Sequence, residues 1–209
     1  MRRYRRPPPP APITGRMTPP ATPAIDKPAL RARVRAARDA FHAAAAPELT
    51  PPAPFLALLK PGLTVTAYIP VGSEADPAPL ARAAVAAGCR IALPHVTTRA
   101  APMRFLAWDP AEDLQPGPFG LSQPHAESLA LAPDIILTPL LAFDEKLDRL
   151  GQGAGYYDRA FAQFPDAIRI GVAWSVQQVD TLPTDAWDMP LHAIITECGW
   201  IARPMDAAQ

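Results

Sequence analysis

Short, strongly apolar runs alternate with amphipathic segments along most of this chain. Such runs predict strands of a parallel sheet, which are covered on both faces, at residues 63–69, 89–93, 103–108, 134–139, 168–173 and 193–196. Apolar side chains at helical spacing predict helices over residues 26–46, 51–60, 77–87 and 157–164. The alternation predicts a three-layer α/β fold, in which a mostly parallel, Rossmann-like sheet is flanked by helices.

The first predicted helix begins at Asp26, which suits an N-cap, with Pro28 in the first turn. Lys27 and Arg31 are four residues apart and therefore share one face of this helix. Three further arginines are expected to spread over the other faces, at positions 33, 35 and 38. On an isolated helix all of these cations would form a solvated surface.

The two ends of the chain differ in composition from the rest. Residues 1–25 are rich in arginine and proline, so they cannot bury a core and are predicted to be disordered. We expect a single domain over residues 26–202, followed by a flexible C-terminus at 203–209. The N-terminal tail is either solvated or a basic arm for a partner or nucleic acid, and translation from Met17 would remove most of it.

The charge balance argues against a polyanionic partner. Lys+Arg and Asp+Glu both number 20 among the 209 residues, so there is no global field to hold nucleic acid or an anionic membrane. No apolar run has the length of a membrane span. The two cysteines lack the spacing of a metal or redox site, which is typical of buried thiols in a reducing compartment. We therefore expect a cytoplasmic protein, and we take it to be a monomer.

A glycine-rich stretch, residues 149–159 (RLGQGAGYYDR), follows the fourth predicted strand. Glycines at 151, 153 and 155 permit a backbone that presents N–H groups to an anion, and the helix that follows would favour a phosphate there. The stretch lacks the Gly-Lys-Ser/Thr end of a Walker loop and the third glycine of the dinucleotide fingerprint. The spacing of the glycines alone does not distinguish a phosphate-binding loop from a hairpin turn.

A second loop, residues 70–76, follows the first predicted strand and contains Glu74. Ligands of parallel sheets bind outside the carboxyl ends of the strands, and this loop is at such an end. Glu74 is therefore either a ligand-binding carboxylate or an ordinary charge of an exposed loop.

Six motifs occur together and in order along the chain, and they carry a resemblance to a known family. They are Lys27-x-x-x-Arg31, Tyr68-Ile69-Pro70-Val71-Gly72-Ser73-Glu74, Phe119-Gly120, Phe143-Asp144, the glycine-rich stretch from Arg149 to Arg159, and Trp187-Asp188-Met189-Pro190-Leu191-His192. Together they resemble the 5-formyltetrahydrofolate cyclo-ligase (methenyltetrahydrofolate synthetase) family over about residues 27–198. The implied fold is similar to the sugar-isomerase/CoA-transferase-like fold.

The resemblance implies an enzyme that uses ATP and Mg²⁺ to convert 5-formyltetrahydrofolate to 5,10-methenyltetrahydrofolate, with release of ADP and phosphate. A formamide oxygen is a poor leaving group, and transfer of the γ-phosphoryl group onto it would activate it. The N10 amine would then close the ring. Positioning and electrostatics would provide most of the catalysis.

The resemblance also implies roles for individual residues. Lys27 and Arg149 would be the catalytic cations, while Asp158 and Asp188 would hold Mg²⁺ together with phosphate oxygens and water. The folate would contact Ile69, Glu74 and Trp108. ATP would contact Lys27, Arg31, Arg149, Leu150, Gly151, Gln152, Gly153, Ala154, Gly155, Tyr156 and Tyr157.

Some alternatives stay open beside these roles. Asp188 is otherwise one loop aspartate among several, and Tyr156 or Tyr157 would otherwise be a core aromatic behind the glycine loop. A non-catalytic regulator that binds nucleotide or folate would keep the same fold without the chemistry. The chain departs from the family pattern at several positions: Gln152 and Ala154 bring less positive charge to the loop, Leu147-Asp148 adds a carboxylate near the phosphates, and Gln123 stands where the family tends to have a glutamate.

Overall fold

The computed structural model describes residues 26–185 and 188–202. The expectations for residues 1–25, for residues 203–209 and for Trp187 lie outside the described residues. The α-helices are α1 (Lys27–Ala43), α2 (Ala53–Leu58), α3 (Ala78–Ala86) and α4 (Tyr156–Gln163). No helix within the described ranges is long and apolar enough to cross a membrane.

The strands of the central sheet are β1 (Thr64–Thr66), β2 (Arg90–His95), β3 (Arg104–Ala107), β6 (Ile135–Pro139), β9 (Ile168–Val172), β10 (Ala193–Thr196) and β11 (Gly199–Ala202). Two short hairpins pair β4 (Gln115–Pro116) with β5 (Ser122–Gln123), and β7 (Ala142–Phe143) with β8 (Arg149–Leu150). Among the described residues, the sheet order is β11-β10-β9-β6-β1-β2-β3. The five inner strands are parallel, and the edge strands β3 and β11 are antiparallel to their neighbours.

The apolar strands cover both faces of this sheet, as the continuous runs predict. On β6, Ile135 and Leu137 pack in a cluster with α2 and α3, while Ile136 packs on the opposite face with Phe161 of α4. The alternation follows from the two-residue period of a strand. The predicted three-layer, mostly parallel α/β fold is confirmed.

Helix α1 packs against the β7–β8 hairpin. Asp26 accepts a hydrogen bond from the backbone N–H of Ala29, which confirms the predicted N-cap. Leu30 and Val34 are buried in a third cluster that includes Leu150 and other residues around the β7–β8 hairpin. This packing brings the cationic side of α1 to the segment that carries the glycine loop.

Several predicted boundaries are wrong in detail, and the strands β4, β5, β7, β8 and β11 were not predicted. Strand β2 continues through Pro94 to His95, because pairing with β1 ends at Ala92 and the missing N–H of Pro94 then costs no ladder bond on that side. Strand β1 is only three residues long, and α1 ends at Ala43. Strand β11 was not predicted, since it is only four residues long and begins at Gly199, a residue type that is depleted in strands.

Candidate functional site

A cleft of about 870 Å³ opens at the carboxyl ends of the inner strands. Its wall includes Ile69 beyond β1, Pro94 and Val96 at the end of β2, and Pro139 at the end of β6. This is the edge at which parallel α/β sheets bind their ligands. The glycine loop, the Glu74 loop and α1 complete the cleft, so three segments far apart in sequence meet here.

The β7–β8 hairpin presents the glycine loop to this cleft. Asp144 is buried and shapes the hairpin turn, since one of its carboxylate oxygens accepts from the backbone N–H groups of Lys146 and Asp148. Its other oxygen accepts from the backbone N–H of Leu182, which ties the turn to the C-terminal segment. Asp144 therefore fixes the path of the chain just before Arg149.

Arg31 holds the glycine loop from the side of α1. Its Nε donates to the carbonyl oxygen of Gly151 at 3.1 Å. Gly153 has a φ of 98°, a conformation that side chains rarely adopt. Helix α4 begins immediately after Gly155, so its N-terminal N–H groups lie beside the loop. The loop has the composition and placement of an anion site.

Arg149 and Asp158 form an ion pair across this loop. Arg149 Nη2 lies 2.5 Å from Asp158 Oδ1, and the arginine side chain is only 6% exposed. The guanidinium also lies over the rings of Tyr157 and Phe161, at 5.8 and 5.1 Å from their centroids. These contacts hold a cation at the base of the loop in one orientation.

Lys27 lies at the other side of the loop, in the first turn of α1. Its ammonium is 2.6 Å from Asp185 Oδ2. The backbone N–H of Asp185 donates to Asp188 Oδ2 at 2.8 Å, and all three side chains line the cleft. The structure therefore brings Lys27 and Asp188 together, although 161 positions separate them in the sequence.

Glu74 enters the cleft from the loop after β1, and its side chain is 9% exposed. Its Oε2 accepts from the backbone N–H of Val71 at 3.0 Å. Its Oε1 lies 3.4 Å from Gln152 Nε2 and 3.9 Å from Arg38 Nη1. The structure therefore favours the interpretation of Glu74 as a carboxylate inside the cleft over its interpretation as an ordinary charge on an exposed loop.

Two arginines of α1 were not predicted as site residues. Arg35 and Arg38 line the cleft together with Arg31, whereas Arg33 is exposed and is not among the described lining residues. The prediction that Arg35 and Arg38 lie on other faces is wrong. Arg35 follows Arg31 by four residues and Arg38 follows Arg35 by three, which keeps all three on one helical stripe, and this signal was present in the sequence.

Tyr156 and Tyr157 follow the loop and both line the cleft. They also pack against the core cluster around α4, which confirms the interpretation as core aromatics, while their contact with ATP stays a prediction. Burial, with the nearby charge of Glu74, raises the pKa of Tyr157 well above its ordinary range, and Arg149 opposes this only in part. Tyr157 therefore stays protonated as a hydrogen-bond donor at neutral pH.

The structure does not bring Trp108 into the cleft. Its indole N–H donates to the carbonyl oxygen of Glu112 at 3.1 Å, and its ring packs against the core cluster of α2 and α3. Phe119 provides the aromatic wall instead, with a ring that is 61% exposed at the cleft. Phe119 has a φ of 63°, a conformation that is rare for a bulky residue. The sequence feature that could have indicated Phe119 as a cleft residue is the Phe-Gly pair in a Pro/Gly-rich segment.

The two aspartates predicted to hold Mg²⁺ both line the cleft. Asp158 uses Oδ1 for Arg149 and Asp188 uses Oδ2 for a backbone N–H, so each has a second carboxylate oxygen. No group of three metal-binding side chains is found in the part of the chain that the structure describes. This donor set fits Mg²⁺, which binds through one or two carboxylates and completes its shell with phosphate oxygens and water.

A model of the 5-formyltetrahydrofolate cyclo-ligase family matches residues 24–197. The chain belongs to this family. It is 39% identical to the 5-formyltetrahydrofolate cyclo-ligase of Haemophilus influenzae over 97 residues, which cover 44% of this chain and 52% of that relative. It is 34% identical to the Escherichia coli cyclo-ligase over 140 residues, 64% of this chain and 77% of the relative.

Solved structures with the same fold carry the alternative family name. The 5,10-methenyltetrahydrofolate synthetase of Aquifex aeolicus is similar with a TM-score of 0.63 and 26% identity, over 88% of this chain and 96% of that one. The synthetase of Mycoplasma pneumoniae is similar with a TM-score of 0.62 and 26% identity, over 83% and 99%. The cyclo-ligase fold thus extends over nearly all of the described residues.

Proposed function

We propose that this cyclo-ligase family member converts 5-formyltetrahydrofolate and ATP to 5,10-methenyltetrahydrofolate, ADP and phosphate, with Mg²⁺. The observation that carries the proposal is the meeting of the glycine loop and the Glu74 loop in one cleft. One half of the cleft is cationic and suits phosphates, and the other offers a carboxylate and apolar walls. A phosphoryl donor and a heterocyclic acceptor would therefore be held face to face.

The phosphate half consists of backbone N–H groups and cations. Lys27, Arg31 and Arg149 surround residues 151–155, and the N-terminus of α4 adds its dipole. In this proposal the residues predicted to bind ATP bind its phosphates, and ATP acts as a second substrate. Lys27 would exchange Asp185 for a phosphate oxygen, while the buried Arg149 would stay in place.

The folate half consists of Glu74, Ile69 and Phe119. Glu74 would accept hydrogen bonds from the N–H groups of the reduced pterin, and Ile69 would pack on its face. Phe119 takes the role that Trp108 was expected to play, because its exposed ring lies at the cleft. In this proposal the pterin binds between the Glu74 loop and the glycine loop.

In the proposed reaction, the formyl oxygen attacks the γ-phosphorus in line and ADP leaves. N10 then attacks the formyl carbon, the C–O bond breaks, phosphate departs, and loss of the N10 proton leaves the methenyl cation. The chain's own residues orient both substrates and balance the phosphate charge. Mg²⁺, held by Asp158 and Asp188, would neutralise charge on the phosphate oxygens when bound.

The direct test is a near-ultraviolet absorbance assay that follows the methenyl product. We expect absorbance to grow with purified protein, 5-formyltetrahydrofolate and MgATP, and to stop growing when ATP is omitted or Mg²⁺ is chelated. A flat trace from folded protein that binds ATP or folate would instead support the non-catalytic regulator. The cytoplasmic location and the monomeric state stay predictions from the sequence.

A further inference from the structure

Arg38 is a buried cation in the folate half of the cleft, and its side chain is held rigidly. The residue is 4% exposed, and its Nε donates to the hydroxyl oxygen of Ser73 at 2.9 Å. That hydroxyl in turn donates to a carboxylate oxygen of Asp39. The carbonyl oxygen of Ser73 accepts from the indole N–H of Trp174 at 3.0 Å. The guanidinium therefore has one fixed orientation.

One nitrogen of this guanidinium makes no hydrogen bond within the part of the chain that the structure describes. Arg38 Nη1 is buried and has no hydrogen-bond partner among the described residues. Its nearest acidic partner, Glu74 Oε1, is 3.9 Å away, which is close enough for charge attraction but too far for a hydrogen bond. A buried guanidinium N–H without an acceptor is costly, so this atom suits a ligand that brings an acceptor into the cleft.

The other arginines on the same stripe of α1 already have partners on the glycine loop. Arg31 donates to the carbonyl oxygen of Gly151, and Arg35 donates to Gln152 Oε1 at 2.7 Å. Both are therefore directed to the phosphate half. Arg38 is the stripe arginine whose donor stands next to the carboxylate of Glu74.

We propose that Arg38 determines specificity for the ring of the folate, by donating from Nη1 to the pterin carbonyl oxygen while Glu74 accepts from the adjacent ring N–H groups. The inference rests on the proposed function. The chemistry is that of a lactam edge, on which a carbonyl acceptor lies beside an N–H donor. A protein donor beside a protein acceptor is the complementary pair, and a charged, desolvated donor discriminates strongly against a ligand that lacks the acceptor.

The test measures binding of two folates to the full chain without ATP, by calorimetry. One is 5-formyltetrahydrofolate, and the other is its 4-amino analogue, in which an amino donor replaces the pterin carbonyl. The variant is Arg38→Met, which keeps the length of the side chain and removes its N–H groups. Arg33→Met is the matched control, because Arg33 is on the same helix but is exposed and outside the described cleft lining. If Arg38→Met does not fold, Arg38→Lys is used as the test variant instead.

We expect the wild type and Arg33→Met to prefer the 4-oxo folate strongly. In Arg38→Met this preference should fall by about tenfold to one hundredfold, mainly through weaker binding of the 4-oxo compound. Arg38→Lys should retain an intermediate preference, and ATP affinity should be unchanged in every variant. A role limited to holding Ser73 would weaken both folates equally.

An unchanged ratio of the two affinities in Arg38→Met and Arg38→Lys would overturn the inference. Failure of the proposed function gives a different result, in which the wild type binds the 4-oxo folate but forms no methenyl product with MgATP. The ratio of the two folate affinities would still show in that case whether Arg38 recognises the pterin carbonyl. A wild type that binds neither folate overturns both proposals.

Discussion

The ammonium of Lys27 lies 2.6 Å from the carboxylate of Asp185. This ion pair joins the first turn of α1 to Asp185, whose backbone N–H donates to Asp188. The two side chains are 28% and 44% exposed, and such a pair contributes little to stability. We expect Asp185→Asn to change the free energy of unfolding by less than about 1 kcal/mol. Lys27→Met should lower kcat/KM for ATP by about tenfold or more, since a charged donor to phosphate is lost.

Denaturant unfolding and steady-state kinetics on both variants check this prediction. Equal losses of kcat/KM in Lys27→Met and Asp185→Asn would show that the ion pair itself, and not a lysine–phosphate contact, is what the reaction requires.

Asp158 and Asp188 are proposed to hold the same Mg²⁺, but they differ in their protein contacts. Asp158 neutralises the buried Arg149, whereas Asp188 accepts from a backbone N–H, which an asparagine can still satisfy. We expect Asp158→Asn and Asp188→Asn both to abolish Mg²⁺-dependent turnover. Only Asp158→Asn should also lower the free energy of unfolding, by about 1–3 kcal/mol, because Arg149 is left buried and unpaired.

Metal titrations of activity and denaturant unfolding in metal-free buffer separate the two effects. Equal stability of the two variants would contradict the structural half of the prediction, and Mg²⁺-dependent turnover in either variant would contradict the catalytic half.

Gln152 bridges the two halves of the cleft. Its carbonyl oxygen accepts from Arg35 at 2.7 Å, and its amide nitrogen donates to Glu74 at 3.4 Å. In Gln152→Glu the contact with Arg35 survives, but two carboxylates face each other. We expect folate affinity to fall only about twofold to fivefold, because Gln152 itself is exposed and solvent screens the repulsion. The measurement is a folate titration at low and at high salt. Gln152→Lys is the control, because it introduces the opposite charge. A loss of folate affinity that salt does not reduce would contradict the electrostatic cause.

Gly153 has a φ of 98° in the glycine loop, and Gly62 has a φ of 84° in a turn before β1. A Cβ at Gly62 would meet nothing within 4 Å, so Gly62→Ala tests backbone strain alone. Each alanine should cost about 1 kcal/mol of unfolding free energy. Only Gly153→Ala should weaken ATP binding, because it alters the loop that faces the phosphates, and calorimetric ATP titration of both variants measures this. Equal ATP affinity in the two would place the phosphates elsewhere.

Alkaline pH should unfold the protein through two of its four tyrosines. Burial, with the charge of Glu74, raises the pKa of Tyr68 and Tyr157 well above the ordinary value of 10.0. Folding therefore favours their protonated forms. The stability that they contribute is complete below about pH 10 and is lost as the pH rises toward their folded pKa values.

Near-ultraviolet absorbance of tyrosinate, followed together with circular dichroism, tests this expectation. Two tyrosines should ionise only as the helix signal is lost, and Tyr68→Phe should remove one of them. Full ionisation of all four in the folded protein would refute it.

The site was predictable wherever a local pattern carried the chemistry. The glycines and their flanking residues 149–159 indicated an anion loop, and the strand before Glu74 indicated a carboxylate at the ligand edge of the sheet. The position of Arg38 in the cleft could also have been predicted, because its helical spacing from Arg31 places both side chains on the same face of α1. Trp108 and Phe119 were not distinguishable in this way, because both are single aromatics in segments without a strong period.

The sequence by itself determined the layered α/β architecture and predicted the glycine-rich loop as an anion site, because strand periodicity and glycine conformation are local properties. Only the tertiary structure decided which distant charges meet. The pairing of Lys27 with Asp185 depends on how α1 packs beside Leu182, and the contact of Arg38 with Ser73 depends on how α1 packs beside the loop after β1. These are contacts between segments that no local pattern relates, so the arrangement on which the proposed phosphate half and folate half rest emerges only on folding.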